Sequence, residues 1–175
     1  MTVRAIEPDD VPAVVGLVRE LAEYERAVHE VRLTDGQLRT ALFGDSPALF
    51  GHVALGPGGE VVGVALWFRN FSTWRGTHGI YLEDLYVQPR HRGSGLGREL
   101  LRTLAATCVE RGYDRLEWSV LDWNEPSIAF YRAAGAVPMD EWTVFRLTDE
   151  ALTGFAASGA SSTTVAPGSG SASAH

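Results

Sequence analysis

Apolar residues recur at helical spacing in Val11, Val14, Val15, Val18, Leu21 and Ala22, behind Asp9, Asp10 and Pro12, and predict a first helix ending near Tyr24. A short strand, residues 3–6, precedes it. Thr34 with Gln37 three positions later forms a capping box for a second helix that turns Leu38, Ala41 and Leu42 inward and stops at Gly44. The β-rich runs 49–55 and 61–68, joined by Gly56-Pro57-Gly58-Gly59, predict an antiparallel hairpin, and a loop over 70–76 leads to a strand over 80–87. Leu96, Leu100, Leu101, Leu104, Ala105 and Cys108 make one helical stripe that closes at Gly112. Leu116, Trp118 and Val120 alternate as a strand. Asn124 and Pro126 then open a helix carrying Ile128, Ala129 and Phe130 and ending at Gly135. Residues 142–147 read as a last strand, and Thr148-Asp149-Glu150 as the cap of one helical turn. The order β-α-α-β-β-β-α-β-α-β predicts an α/β fold: a mixed, mostly antiparallel central sheet with helices on both faces.

From residue 154 onward Gly, Ala, Ser and Thr dominate, too little apolar area to offset the entropy of ordering. The expected organisation is one domain over 1–153 and a disordered tail over 154–175. The N-terminus lacks an apolar leader and no apolar run approaches bilayer length, so a cytoplasmic protein with no membrane partner is expected. The single cysteine, Cys108, sits on the apolar helical stripe and reads as a buried thiol.

The net charge of −7 argues against nucleic acid, which needs a basic surface to displace counterions. The charge is uneven. Arginine concentrates at Arg90, Arg92, Arg98 and Arg102, whereas Glu20, Glu23, Glu25 and Glu30 crowd the first helix region and Glu83-Asp84 precede the arginines. One region suits an anionic cofactor and another a cationic substrate. His29, His52, His78 and His91 show no metal-ligand spacing, so no metal is expected.

Between the strand 80–87 and the third helix lies Gln88-Pro89-Arg90-His91-Arg92-Gly93-Ser94-Gly95-Leu96-Gly97. Glycines at alternate positions remove the Cβ atoms that would hold a pyrophosphate off the backbone, and the helix N-terminus adds partial positive charge. No Gly-Lys-Ser/Thr follows, and position 98 is Arg, so neither the P-loop nor the dinucleotide pattern is met. Ser94 lies in Gly-Ser-Gly, which is not a nucleophile elbow.

The remaining pattern, Arg-x-x-Gly-x-Gly, resembles the acyl-CoA signature of the GCN5-related N-acetyltransferases. Within that superfamily, Ile80-Tyr81-Leu82-Glu83-Asp84, the glycine turn, the stretch from Asp122 to Tyr131, and Glu20-Leu21-Ala22 with Tyr24-Glu25 are similar to the spermidine/spermine and thialysine N-acetyltransferases. The likeness runs over about residues 3–150. It implies acetyl-CoA as cosubstrate, held by Arg90, Arg92, Gly93, Ser94, Gly95, Leu96, Gly97 and Arg98. Leu85, Tyr86 and Val87 would offer backbone N–H groups to the pantetheine arm and one of them to the thioester oxygen. Asn124 and Ser127 are implied as further cofactor contacts, although helix capping alone accounts for Asn124.

Tyr131 is the candidate general acid, since a phenol with a pKa near ~10 suits a departing thiolate. Glu83 is the resemblance's choice for binding the substrate ammonium and accepting its proton, but a fixed negative charge also raises the amine's pKa. Strand alternation places Glu83 and Asp84 on opposite sides of the sheet. Tyr24, Glu25, Asp84, Asp140 and Glu141 are further substrate candidates carried over from the family. So is a homodimer in which first-helix residues complete a neighbour's site. The segment 136–141 is shorter than in the polyamine enzyme, which leaves a polyamine, a diamine or a thialysine-like amino acid open as substrate. Two alternatives stand beside a small-amine acetyltransferase: a non-catalytic acyl-CoA sensor, and an N-acetyltransferase of proteins or peptides.

Overall fold

The computed structural model describes residues 2–158, which form two compact units divided between Gly135 and Ala136. The first unit is a five-stranded sheet in the order β1 (Thr2–Ala5), β2 (Phe50–Leu55), β3 (Val61–Ser72), β4 (Thr77–Val87) and β5 (Leu116–Glu117). The first four strands are antiparallel neighbours and β5 joins β4 in parallel. Helices α1 (Val11–Tyr24) and α2 (Asp35–Phe43) share one core with Val53, Val64 and Leu66; α3 (Leu96–Glu110) shares another with Ile80, Leu82 and Val87. Phe130 and Tyr131 of α4 (Glu125–Ala133) pack against that second core. The expected α/β sheet with helices on both faces is therefore the architecture found.

Local chemistry sets the helix ends. Thr34 Oγ1 accepts from Gln37 N (3.3 Å) while Thr34 N donates to Gln37 Oε1 (2.9 Å), so the capping box starts α2 as its spacing predicts. At the end of α3, Gly112 adopts φ +67°, Tyr113 N donates to Cys108 O (2.8 Å) and Gly112 N to Val109 O (3.2 Å). That is the Schellman arrangement, and Tyr113 completes it by packing on the α3 core. Cys108 is buried on the inner stripe, where burial pushes its thiol pKa up.

Several elements differ from the sequence reading. The first three residues of the predicted loop over 70–76 are strand: Asn70, Phe71 and Ser72 pair with Gly79, His78 and Thr77. Only residues 73–76 turn, closed by Gly76 at φ +67° with its N–H on Ser72 O (2.8 Å). The strand expected over 116–120 shortens to Leu116–Glu117, paired with Ile80 and Tyr81. Beyond that point β4 is bulged: Leu66 pairs with Asp84 and Trp67 with Leu82, so Glu83 is an extra residue without a partner. Ile80 and Leu82 face α3; past the bulge Leu85 and Val87 do so, while Tyr86 faces α1. The strict alternation expected for Glu83 and Asp84 therefore fails at this position.

In the second unit the strand expected over 142–147 does not form. Trp142 N closes a turn on Met139 O (3.1 Å), and Val144, Phe145 and Leu147 are exposed. An alternating pattern becomes a strand only where a neighbouring strand takes up its N–H and C=O groups, and none does so among the described residues. Helix α5 (Asp149–Ser158) is longer than the single turn expected and includes residues 154–158, which composition assigned to the tail. Residues 159–175 of that tail lie outside the described residues. Among the described residues no helix is long and apolar enough to cross a membrane.

Replacing Gly112 by Ala should cost about 1 kcal/mol of stability in urea unfolding, because the new Cβ meets open space and the loss is that of a left-handed backbone.

Candidate active site

The glycine turn is built as a cradle. Gly93 and Gly95 have φ of +76° and +90°, and a Cβ at either would project into open space, with no protein atom within 4 Å. Unlike α2 and α4, whose first turns are capped by Thr34 and Asn124, α3 starts at Leu96 with no side-chain cap. Ser94, which could have capped it, turns its hydroxyl back to donate to His91 O (2.5 Å). The first-turn amides of Leu96, Gly97 and Arg98 therefore have no acceptor within the helix. Gly97 differs from the other two: a Cβ there would make ordinary contacts at 3.9 Å to Val87 Cγ2 and 4.0 Å to Phe130 Cζ.

The arginines divide. Arg90 donates to Gln88 Oε1 (3.1 Å) and to His91 Nε2 (3.1 Å) at the surface, Arg98 has no ion pair among the described residues, and Arg102 is held by Glu99 of its own helix. Arg92, although exposed, is engaged by other elements. Its Nε donates to Val87 O (3.0 Å), and its guanidinium carbon lies 5.0 Å from the Tyr24 ring centroid and 5.4 Å from that of Tyr86.

The end of β4 has an open edge. Gln88 N donates to Val62 O (3.0 Å), so the antiparallel ladder uses the backbone of Tyr86 on β3 and turns the N–H groups of Leu85 and Val87 toward the β5 side. Because β5 stops at Glu117, no strand among the described residues takes them up. Of the three residues the resemblance singles out, two therefore have available amides. The third, Tyr86, has a buried side chain whose hydroxyl donates to Glu20 Oε2 (3.2 Å).

Carboxylates gather beside that edge. Glu83 is exposed at the bulge, while Asp84 is largely buried, its pKa raised to about 6 by desolvation first and then by the charges of Glu83 and Glu25. Glu25, just past the end of α1, is itself raised by burial. Tyr131 of α4 is pushed up to about 12, by burial and then by Glu25. Its ring packs against Trp118 at 4.8 Å and Phe130 at 5.2 Å. Glu83 and Glu25 thus both act on Asp84, and Glu25 also acts on Tyr131 from a third element.

Tyr24 OH donates to Asn124 Oδ1 (3.1 Å), the same atom that accepts from Ser127 N (3.3 Å) to cap α4. Asn124 and Ser127 thus sit together at the α4 N-terminus, with the Asn124 oxygen committed to the cap and to α1. Asp140 and Glu141 belong to the second unit, where both are exposed in the turn closed at Trp142. Glu20 was missed as a site residue: it also accepts from Gln88 Nε2 (2.9 Å). Its signal was legible, since Glu20 and Tyr24 stand four apart and share one face of α1.

Asp84 strains the fold when ionised. Its folded pKa lies above the ordinary aspartate value, so its contribution is favourable below the unfolded pKa and is lost as pH rises through about 6. Asp84→Asn should therefore stabilise the protein at pH 8, by up to about 3 kcal/mol, and give no gain at pH 4, as read from urea midpoints.

The profile of the Acetyltransferase (GNAT) family matches residues 16–136. Thialysine N-epsilon-acetyltransferase of Bos taurus is 36% identical over 160 residues, covering 86% of this chain and 94% of the relative. L-ornithine N5-acetyltransferase of Arabidopsis thaliana is 29% identical over 194 residues, covering 86% and 85%. Among solved structures, an integron cassette protein from the mobile metagenome of V. cholerae superposes with a TM-score of 0.74 at 23% identity, covering 89% of this chain and 96% of that one. With its open β4 edge, its uncapped α3 and a family match over most of its length, the chain belongs to the GNAT acetyltransferases.

Proposed function

We propose that the protein transfers an acetyl group from acetyl-CoA to a primary amine of a small cationic substrate: a thialysine- or ornithine-like amino acid, a diamine or a polyamine. The observation that carries this reading is the burial of Asp84 next to Glu83 and Glu25, with Tyr131 sensing the same Glu25. Three carboxylates held together repel one another, and an ammonium placed among them relieves that repulsion on binding. A non-catalytic CoA sensor would need neither this cluster nor a phenol beside it.

The cosubstrate fits the residues present. The positive-φ glycines leave the space that a pyrophosphate would fill, the free amides of Leu96, Gly97 and Arg98 point from the α3 N-terminus, and Arg90 and Arg98 supply charge at the surface. Acetyl-CoA supplies an acyl group already activated as a thioester. The N–H groups of Leu85 and Val87 are free to hold the pantetheine arm and to polarise the thioester carbonyl. Asp84 and Glu25 bind the ammonium. Glu83, at the bulge and open to water, accepts its proton and passes it to solvent. Tyr131 remains protonated at any working pH and holds the proton that the leaving sulfur requires. We also assign the family-implied contact Tyr24 to the amine side of the reaction, and expect a homodimer in the cytoplasm.

Binding an ammonium favours ionised Asp84, so kcat/KM for the amine should rise through about pH 6 as Asp84 loses its proton. Tyr131→Phe should lower kcat by about 10²-fold or more while the acetyl-CoA Kd from calorimetry stays within about threefold. Gly95→Ala should instead weaken acetyl-CoA at least about tenfold, because its Cβ enters the pyrophosphate space and its φ is left-handed. Release of CoA with thialysine, ornithine, lysine, putrescine, spermidine and an unstructured peptide decides among substrates. Turnover of the peptide alone, or of none of them by a protein that binds acetyl-CoA, would overturn the reading.

A further inference from the structure

Arg92 belongs by position to the glycine turn, yet its guanidinium is not presented there. The group lies over two rings at the surface, Tyr24 from α1 at 5.0 Å and Tyr86 from β4 at 5.4 Å, and Nε is committed to Val87 O. The stack continues outward: Tyr24 lies 6.0 Å from the ring of Trp123, and Arg26 lies 5.5 Å above that same ring. Arg26 holds φ +62°, a left-handed conformation that costs energy for a side-chain-bearing residue and persists only where surrounding contacts impose it. Two arginines and three aromatic rings thus form one series from the segment after α1, through the residue before the α4 cap, to the glycine turn and β4.

Two hydrogen bonds reinforce the same junction. Glu20, one turn before Tyr24, accepts from Tyr86 OH and Gln88 Nε2, and Tyr24 OH donates to the α4 cap at Asn124. We infer that Arg92 is a positioning residue for the amine site: lying over the rings of both Tyr24 and Tyr86, it ties the last turn of α1 to β4 and so sets where Glu25 stands relative to Asp84. The inference rests on the acetyltransferase reading above. It assigns to Arg92 a role in recognising the cationic substrate, and leaves the phosphates to the backbone amides, Arg90 and Arg98. Lysine cannot take its place, since an ammonium offers no plane to lie over two rings and no Nε fork to reach Val87 O at the same time.

Arg92→Gln and Arg92→Lys should each raise the KM for the preferred amine by about tenfold, the combined size of two surface cation–π contacts, while the acetyl-CoA Kd measured by calorimetry moves less than about threefold. Arg90→Gln and Arg98→Gln should do the reverse. A second readout separates positioning from general loosening. The charges that act on Asp84 are Glu83 and Glu25, so displacing the α1 end removes the Glu25 contribution and should move the acid limb of the kcat/KM profile to lower pH. Tyr86→Leu, which removes one ring and leaves the turn intact, should raise the amine KM similarly and add little to Arg92→Gln in the double variant. Urea midpoints check that each variant is folded. Weakening of acetyl-CoA by about tenfold or more in the Arg92 variants, an unmoved amine KM, or additive Arg92 and Tyr86 effects would overturn the inference. Absence of amine turnover by the unmodified protein would instead overturn the acetyltransferase reading itself.

Discussion

The single unpaired residue in β4 governs where the chemistry can stand. Without an extra residue at Glu83, even-numbered positions would continue on one side of the sheet, and Asp84 would follow Ile80 and Leu82 into the apolar layer under α3. A carboxylate there would have neither a charged partner nor water. The bulge shifts the phase by one residue. Leu85 and Val87 continue that core, Tyr86 joins the core under α1, and Asp84 pairs across from Leu66, which belongs to the α1 core. Bulges also bend the strand that carries them, and β5 pairs with β4 only on the near side of this one. The acidic site and the open strand edge are thus two results of one insertion.

Around that point, desolvation and like charge act in the same direction on Asp84 and set its proton affinity high before any substrate arrives. The fold retains the arrangement because its ties lie outside the acidic group. Glu20, Tyr24, Arg92 and Asn124 connect α1, the glycine turn, β4 and α4 by contacts that do not involve Asp84. Stability lost at one carboxylate is offset by packing elsewhere, as is usual where a protein stores strain at a working site.

Most elements were legible because their signals are local. Thr34 with Gln37, Gly112 and Asn124 each act within a few residues and each is found at its helix end, while Gly93 and Gly95 take the positive φ of their turn. What sequence could not show depends on partners. Nothing in Leu82-Glu83-Asp84 announces a bulge, because a bulge is a property of two strands in register. The run over 142–147 has the alternation of a strand and no neighbour to make it one. Arg92 looks like a phosphate ligand from its place in the motif. Its actual neighbours, Tyr24 and Tyr86, are separated from it in sequence by very different distances, and only the fold brings both rings to it.

The Asn124 side-chain oxygen serves two structures at once, as the acceptor that begins α4 and as the anchor for the hydroxyl ending α1. Either bond can open while the other still satisfies that oxygen. The last turn of α1 and the first turn of α4, a hundred residues apart in the chain, are therefore joined by a tie that loosens in steps, so that their amides need not exchange together.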